Sequence, residues 1–286
     1  GSEGVVSAKP LSARPTESVV LQPLYGKGGK ENKEYPVRIV VVIASIVTAL
    51  FAAVAQAGMA EPIYMVDSPT AGLLSHGEYH IQGRIGPESS VLLAFRVGIK
   101  NRLYLGTSFG MQNLFSYEQV EFNDRPGFMI RLRLLEEDDR RPGLALGFDS
   151  QGTGAWNDDA ERYDRKSKGF YGVLSRNWKI PVGFFSIHTG LNYSLENQDE
   201  DHIDAFAAVD WEAVAGLDFI LDLDGAFNDN LDDGQFGGGG VYLDGAIRVT
   251  YGENLQLMLI FKDLTKNYTP ERRIGREFEI AFVDFF

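Results

Sequence analysis

Apolar and polar residues alternate at every second position from residue 77 onward, and in the final segment Phe278, Ile280, Phe282 and Phe286 share one parity. Twelve such segments can be counted, and together these features predict an all-β fold, a closed antiparallel transmembrane β-barrel of about 12 strands. A strand in lipid must be apolar on its outer face, and a barrel's closing strand carries an aromatic at the membrane rim. Asp284 departs from the outward parity, which is tolerable at headgroup level. Composition alone hides this fold. A hydrophobic content of 44% and a mean hydropathy of -0.14 suit an ordinary soluble protein, because half of every barrel strand faces water or the lumen. The 32 glycines and 12% aromatic residues suit tightly packed β structure with interfacial rings. With no cysteine, a disulfide framework and thiolate metal sites are excluded.

The elements follow in order. Residues 1–36, rich in Gly, Lys, Glu and Pro and without a period, read as a disordered leader. Residues 37–60 read as a signal peptide, a helix in its apolar part: Arg38 precedes an uncharged run over 39–57, and Ala55 and Ala57 have the spacing of a signal-peptidase site. The same run, about 28 Å long as a helix, also suits an uncleaved inner-membrane anchor. Residues 61–76 are expected to be a periplasmic lead-in, and 77–286 the barrel in the outer membrane.

The strand segments are 77–85, 90–99, 103–112, 128–135, 144–151, 168–176, 184–196, 202–211, 215–227, 241–251, 255–262 and 277–286. Their outward residues include Leu93, Phe95, Phe109, Phe128, Ile130, Ile187, Leu191, Phe219 and Leu221. The connections test the count. With both ends periplasmic, even-to-odd turns should be short and odd-to-even connections long, and the short 100–102, 212–214 and 252–254 alternate with the long 113–127, 152–167, 228–240 and 263–276. Trp178, Trp211, Tyr251 and Phe286 fall near the periplasmic rim, where an aromatic girdle belongs. A soluble β-sandwich or lipocalin-like barrel would also alternate, but its polar face would not set Arg against Asp so densely.

Of the 27 basic residues 6 precede residue 58, as do 4 of the 40 acidic ones, leaving a barrel portion with a net charge near -15. Such a chain does not seek nucleic acid. The inward parity carries Arg84, Arg96, Arg131, Arg133, Asp149 and His188 on the first seven strands, then Asp204, Asp210, Asp218, Asp222, Asp224, Asp244 and Arg248 on strands eight to ten. In a closed 12-stranded barrel the arginine and aspartate walls would face each other across a lumen roughly 24 Å in backbone diameter, about 10 Å between side chains. Two readings follow: a transverse field across a narrow pore, or Arg–Asp pairs that plug it.

Site chemistry is sparse. An outer-membrane lipid-modifying hydrolase is the less favoured alternative: Ser186 and His188 share one strand face, about 7 Å apart along the backbone, but no acid or amide is fixed by sequence to orient the imidazole, so no catalytic residue is assigned. His76, His80 and His202 are too scattered for a metal site. A calcium loop over 229–234 fails on spacing, since Gly240 stands where a bidentate Glu is needed. Asp199, Glu200 and Asp201 suit loose divalent binding at the surface, and residues 237–240 read as a flexible loop tip. No cofactor is expected.

Three stretches carry a family resemblance: Pro69-Thr70-Ala71-Gly72, residues 143–154 with Asp149 to Gly154 the most specific part, and residues 169–176. They resemble the YjbH-type outer-membrane barrels associated with exopolysaccharide and capsule production, over roughly residues 66–180. The acidic insertion 157–166 departs from that family's pattern. The resemblance implies an envelope role with polysaccharide-secretion proteins as partners, beside the outer-membrane lipid. The C-terminal aromatic strand, like that of outer-membrane barrels generally, implies recognition by the barrel-assembly machinery.

Overall fold

The computed structural model describes Gly1 and residues 61–123, 125–196, 202–229 and 235–286. The expected leader and signal peptide, apart from Gly1, lie outside the described residues, as do Asp199, Glu200, Asp201 and most of the 229–234 loop.

Among the described residues twelve long strands are hydrogen-bonded edge to edge: β1 (Glu78–Ile85), β2 (Val91–Ile99), β3 (Leu103–Gln112), β4 (Gly127–Leu135), β5 (Gly143–Asp149), β6 (Gly169–Lys179), β7 (Phe184–Tyr193), β8 (Asp204–Val214), β9 (Leu217–Asp224), β10 (Tyr242–Tyr251), β11 (Leu255–Lys262) and β12 (Gly275–Phe285). Every neighbour is antiparallel, and β1 pairs β12 with Glu78 opposite Phe285 and Ile85 opposite Phe278, which closes the barrel and leaves no unpaired edge. All twelve strands predicted from period-two alternation are present, with boundaries moved by a few residues.

Side chains are distributed inside out. Leu93, Phe109, Phe128, Leu191 and Ile280 are exposed on the outer face, while Arg96, Arg131, His188, Asp218 and Asp244 are buried. An apolar exterior around a charged interior is stable only when lipid covers the outside, and a closed barrel leaves no backbone group unpaired there. The protein is a transmembrane barrel of the kind that spans bacterial outer membranes. The short turns define the periplasmic end. There Trp178, Trp211, Tyr251 and Phe286 are all exposed, and Phe286 stacks 5.3 Å from Tyr79.

Residues 61–76 do not run as a periplasmic lead-in. They enter the barrel and fold back on themselves: Tyr64 bridges Pro69, Met65 N–H bonds to Ser68 O at 3.0 Å, and Thr70 N–H to Ile63 O at 3.2 Å. One leg begins at Glu61, paired with Arg133 near the end of β4; the other leaves past His76, whose N–H meets Asn101 Oδ1 in the β2–β3 turn. Both legs thus meet the periplasmic rim, and the tip, Val66 to Ser68, points toward the extracellular half. The apolar reason is plain. Met65 and Val66 pack on Ala208, Ile220, Ala246, Met258 and Ile260, whereas Ile63, Leu73 and Leu74 pack on Ala94, Tyr104 and Met129. Each such side chain withdrawn from water contributes roughly 1.5–3 kcal/mol, an upper estimate.

Two glycines mark the route. Gly77, at φ +81°, turns the chain from the lumenal hairpin into β1. Gly98, on the inner face of β2, lies under the returning leg, and a Cβ there would lie 2.6 Å from Leu74 O and closer still to Ser75 O. At the extracellular mouth the 150–168 connection forms a small hairpin, Thr153–Asn157 with Arg162–Arg165. It turns inward, burying Arg162 and Tyr163.

Candidate functional site

The interior is organised around the lumenal hairpin. At its tip the N–H groups of Val66, Asp67 and Ser68 all donate to Asp222 Oδ2, at 3.0, 2.9 and 2.8 Å, and Ser68 Oγ donates to Asp222 Oδ1 at 2.5 Å. Successive amides converging on one carboxylate form an anion nest, here with the anion supplied by the barrel wall. Asp67 itself turns to cations: Lys262 and Arg84 pair with it, and Thr153 Oγ1 donates to it at 3.1 Å.

Midway along the hairpin, Arg131 is fully buried. Its Nη1 donates to Ile63 O at 2.7 Å and Gly72 O at 3.0 Å, one carbonyl on each leg, and its Nε donates to Tyr171 OH at 2.8 Å. Three tyrosine rings surround the guanidinium, Tyr64 at 4.8 Å, Tyr104 at 4.9 Å and Tyr171 at 5.6 Å, so cation–π attraction takes the place of a carboxylate partner. Tyr64 OH donates to Asp149 at 2.7 Å. Arg133 completes the grip by donating to Ala71 O and pairing with Glu61.

The expected confrontation of an arginine wall with an aspartate wall does not occur, because the hairpin lies between them. Arg84 pairs with Glu279 and Asp67, Arg96 bonds His80 and Gln82, and Arg248 pairs with its cross-strand neighbour Asp218 at 3.0 Å. Asp224 pairs with Lys168; Asp244 with Lys262 and Arg165; Asp204 accepts from Phe227 N–H at 3.1 Å.

His188, whose partners the sequence alone leaves open, has two. Its Nδ1 lies 2.7 Å from Ser175 Oγ, directly opposite it on β6, and its Nε2 lies 3.1 Å from Asp210. The carboxylate fixes Nε2 as an N–H donor, and in the neutral imidazole Nδ1 is then the acceptor for the Ser175 hydroxyl. Ser175 Oγ in turn accepts Ala71 N–H at 2.7 Å, and this relay of serine, histidine and aspartate ends on the hairpin. Ser186 is buried beside it but is not the hydroxyl on the imidazole.

At the mouth, Arg162 pairs with Asp229 and stacks over Phe236 at 3.8 Å, while Arg165 stacks over Tyr242 at 4.0 Å. Burial raises the Asp229 carboxyl to about 6, against the opposing effect of Arg162. The 237–240 glycines are not a free tip: Gly238 and Gly240 donate their N–H groups to Asn267 Oδ1, and Gly237 bridges Tyr268. Among the described residues no group of three His, Asp or Glu is placed to hold a metal ion. Sequence reasoning passed over the gripping partners Asp67, Lys262, Arg165, Glu277 and Glu279. The two glutamates were visible as acids alternating with Phe278 and Ile280.

No protein-family model matches the chain, and no curated protein does. Solved structures of similar outline include the KdgM porin, 6% identical over 73% of this chain and 99% of that one with a TM-score of 0.42. The NanC porin is 9% identical over 73% and 99%, TM-score 0.42, and the Acinetobacter baumannii outer membrane protein Omp33 is 8% identical over 75% and 99%, TM-score 0.39. At these identities the likeness is one of barrel outline; the transmembrane reading stands on the strand pairing and the inside-out side chains.

Proposed function

We propose that this barrel is a narrow outer-membrane channel closed at rest by its own lumenal hairpin, and that it passes small charged solutes only when residues 61–76 withdraw. The observation that carries this reading is the grip on the hairpin. Beside the apolar packing of Ile63, Met65, Val66, Leu73 and Leu74, it is held by polar contacts, Asp222 on three amides and Arg131 on two carbonyls, which water can replace once the segment moves. With the segment gone, the same Arg, Lys and Asp side chains would line a charged constriction. The buried ion-pair network supports a second reading, a permanently filled structural barrel. An assignment to polysaccharide secretion rests on the resemblance over residues 66–180 alone.

Planar-bilayer recording separates these readings. The intact chain should be silent, and a chain lacking residues 61–74 should conduct steadily. Steady conductance from the intact chain would overturn the resting closure, and silence from correctly inserted truncated protein would leave the structural barrel.

A further inference from the structure

The extracellular connection after β3 is unusual in what it exposes. Leu114, Phe115, Tyr117 and Phe122 are all exposed, Phe115 by 67% and Phe122 by 69%, whereas the 263–276 connection exposes Lys266, Arg272 and Arg273. Between 113 and 122 the charged residues are Glu118 and Glu121 alone. Large apolar side chains gathered on so short a stretch mark a contact surface rather than a solvated loop.

Strand register sets the direction that surface faces. Glu121–Phe122 is a short strand paired with the extracellular end of β3, Phe122 opposite Met111 and Glu121 opposite Gln112, and Asn123 N–H donates to Gly110 O at 2.9 Å. Residues directly opposite in a sheet share a face. Met111 has the parity of Leu105 and Phe109, both exposed on the outer wall, so Phe122 extends the lipid-facing side of the barrel. Gly110 has the opposite parity, and a Cβ there would collide with the Asn123 amide, which puts Asn123 on the inner side. The root of the loop is fixed too: Asn113 turns at φ +61°, its N–H donates to Glu88 O at 3.3 Å, and Leu114 N–H donates to Ser89 O at 3.2 Å.

Height decides what covers the patch. Met111 lies eight residues above Leu103, which adjoins a periplasmic turn. At about 3.4 Å per residue and a tilt near 40°, Met111 and Phe122 stand roughly 21 Å up a lipid-facing band about 25 Å tall. Phe115 and Tyr117, beyond the strand end, then fall at the boundary between acyl chains and headgroups, where aromatic rings settle.

We infer that residues 113–122 lie on the outer leaflet as a membrane anchor, with Phe115 and Phe122 in the upper acyl region, Tyr117 at headgroup level and the Glu118 carboxylate in the water above. The occupant is lipid because the patch continues the lipid-facing wall without a break in register. This goes beyond the channel reading and does not depend on it, since the anchor concerns the outer face and closure concerns the lumen.

The chain has no cysteine, so a single nitroxide can be placed at Phe115→Cys or Phe122→Cys in the full chain reconstituted into phosphatidylcholine vesicles. Leu191→Cys on the outer wall and Asp159→Cys at the exposed mouth supply the lipid and water references. Each variant is first checked for the gel shift between boiled and unboiled protein. With a water-soluble nickel chelate on both sides of the vesicle, both loop labels should lose nickel broadening and keep oxygen broadening, as at Leu191→Cys. Nickel broadening at either loop position equal to that at Asp159→Cys would overturn the inference. So would protection that carries spin–spin broadening and disappears on dilution with unlabelled protein, because a second copy and not lipid would then cover the patch.

Discussion

Asp222→Ala removes the acceptor of three hairpin-tip amides and one hydroxyl in a single step. Hydrogen bonds to a charged acceptor are each worth about 1.5–3 kcal/mol, and the four of them share one carboxylate. Water reaching a withdrawn tip recovers part of the loss, so the net shift is taken as on the order of 3–6 kcal/mol, or roughly 10² to 10⁴ in the docked-to-free ratio of the hairpin. Barrel strand pairing should be unaffected, since Asp222 bonds across β8 and β10 through its backbone. The assay is amide hydrogen exchange of residues 63–74 in detergent, with β9 amides as the internal reference. Exchange of Val66, Asp67 and Ser68 should accelerate by that factor while β9 stays protected. If the variant folds and those amides exchange as in wild type, Asp222 is not what holds the tip, and the account of the grip is wrong.

Other perturbations reach the same element from different sides. Arg131→Met removes two carbonyl contacts and three ring contacts at about 0.5–2 kcal/mol per cation–π pair, and should lower by several degrees the temperature at which the compact band is lost on a detergent gel. Gly98→Val should expel the returning leg by collision with Leu74 and Ser75, whereas Gly83→Ala, whose Cβ would sit 3.6 Å from Leu93 and 3.7 Å from Ile280, should leave exchange unchanged. Asp229 supplies a pH test. Its folded value, about 6, is raised by burial above the ordinary 3.8, so its contribution is complete below about pH 4 and is lost as pH rises through 6. Exchange around Asp229 and Arg162, corrected for its intrinsic pH dependence, should quicken from pH 5 to 8 in wild type and much less in Asp229→Asn.

The barrel was legible because lipid imposes a strict rule on alternate residues. Leu93, Phe109, Phe219 and Ile280 could be placed outward, and the short and long connections fixed the strand count. The hairpin was not legible. Residues 61–76 carry Ile63, Met65, Val66, Leu73 and Leu74 without a period, and burial inside a lumen imposes none. The apolar content of a stretch expected to lie in the periplasm was the signal available. Lumenal partners were misread for a related reason: parity states which way Asp222 and Arg131 point, but not that another part of the chain stands between them. For His188 the parity shows a lumenal imidazole but not its partners, because it is the sheet register that sets Ser175 opposite it.

Occupation of the lumen by residues 61–76 is tested most directly by a cross-link. The chain has no cysteine, and a Cβ built on Gly143 of β5 would lie 3.3 Å from Ala71 Cβ, close to the separation a disulfide spans. Ala71→Cys with Gly143→Cys should oxidise in the folded, membrane-inserted protein to a species without titratable thiol, protected in amide exchange over residues 63–74. Two free, readily alkylated thiols in a correctly folded barrel would place the hairpin elsewhere and contradict the account.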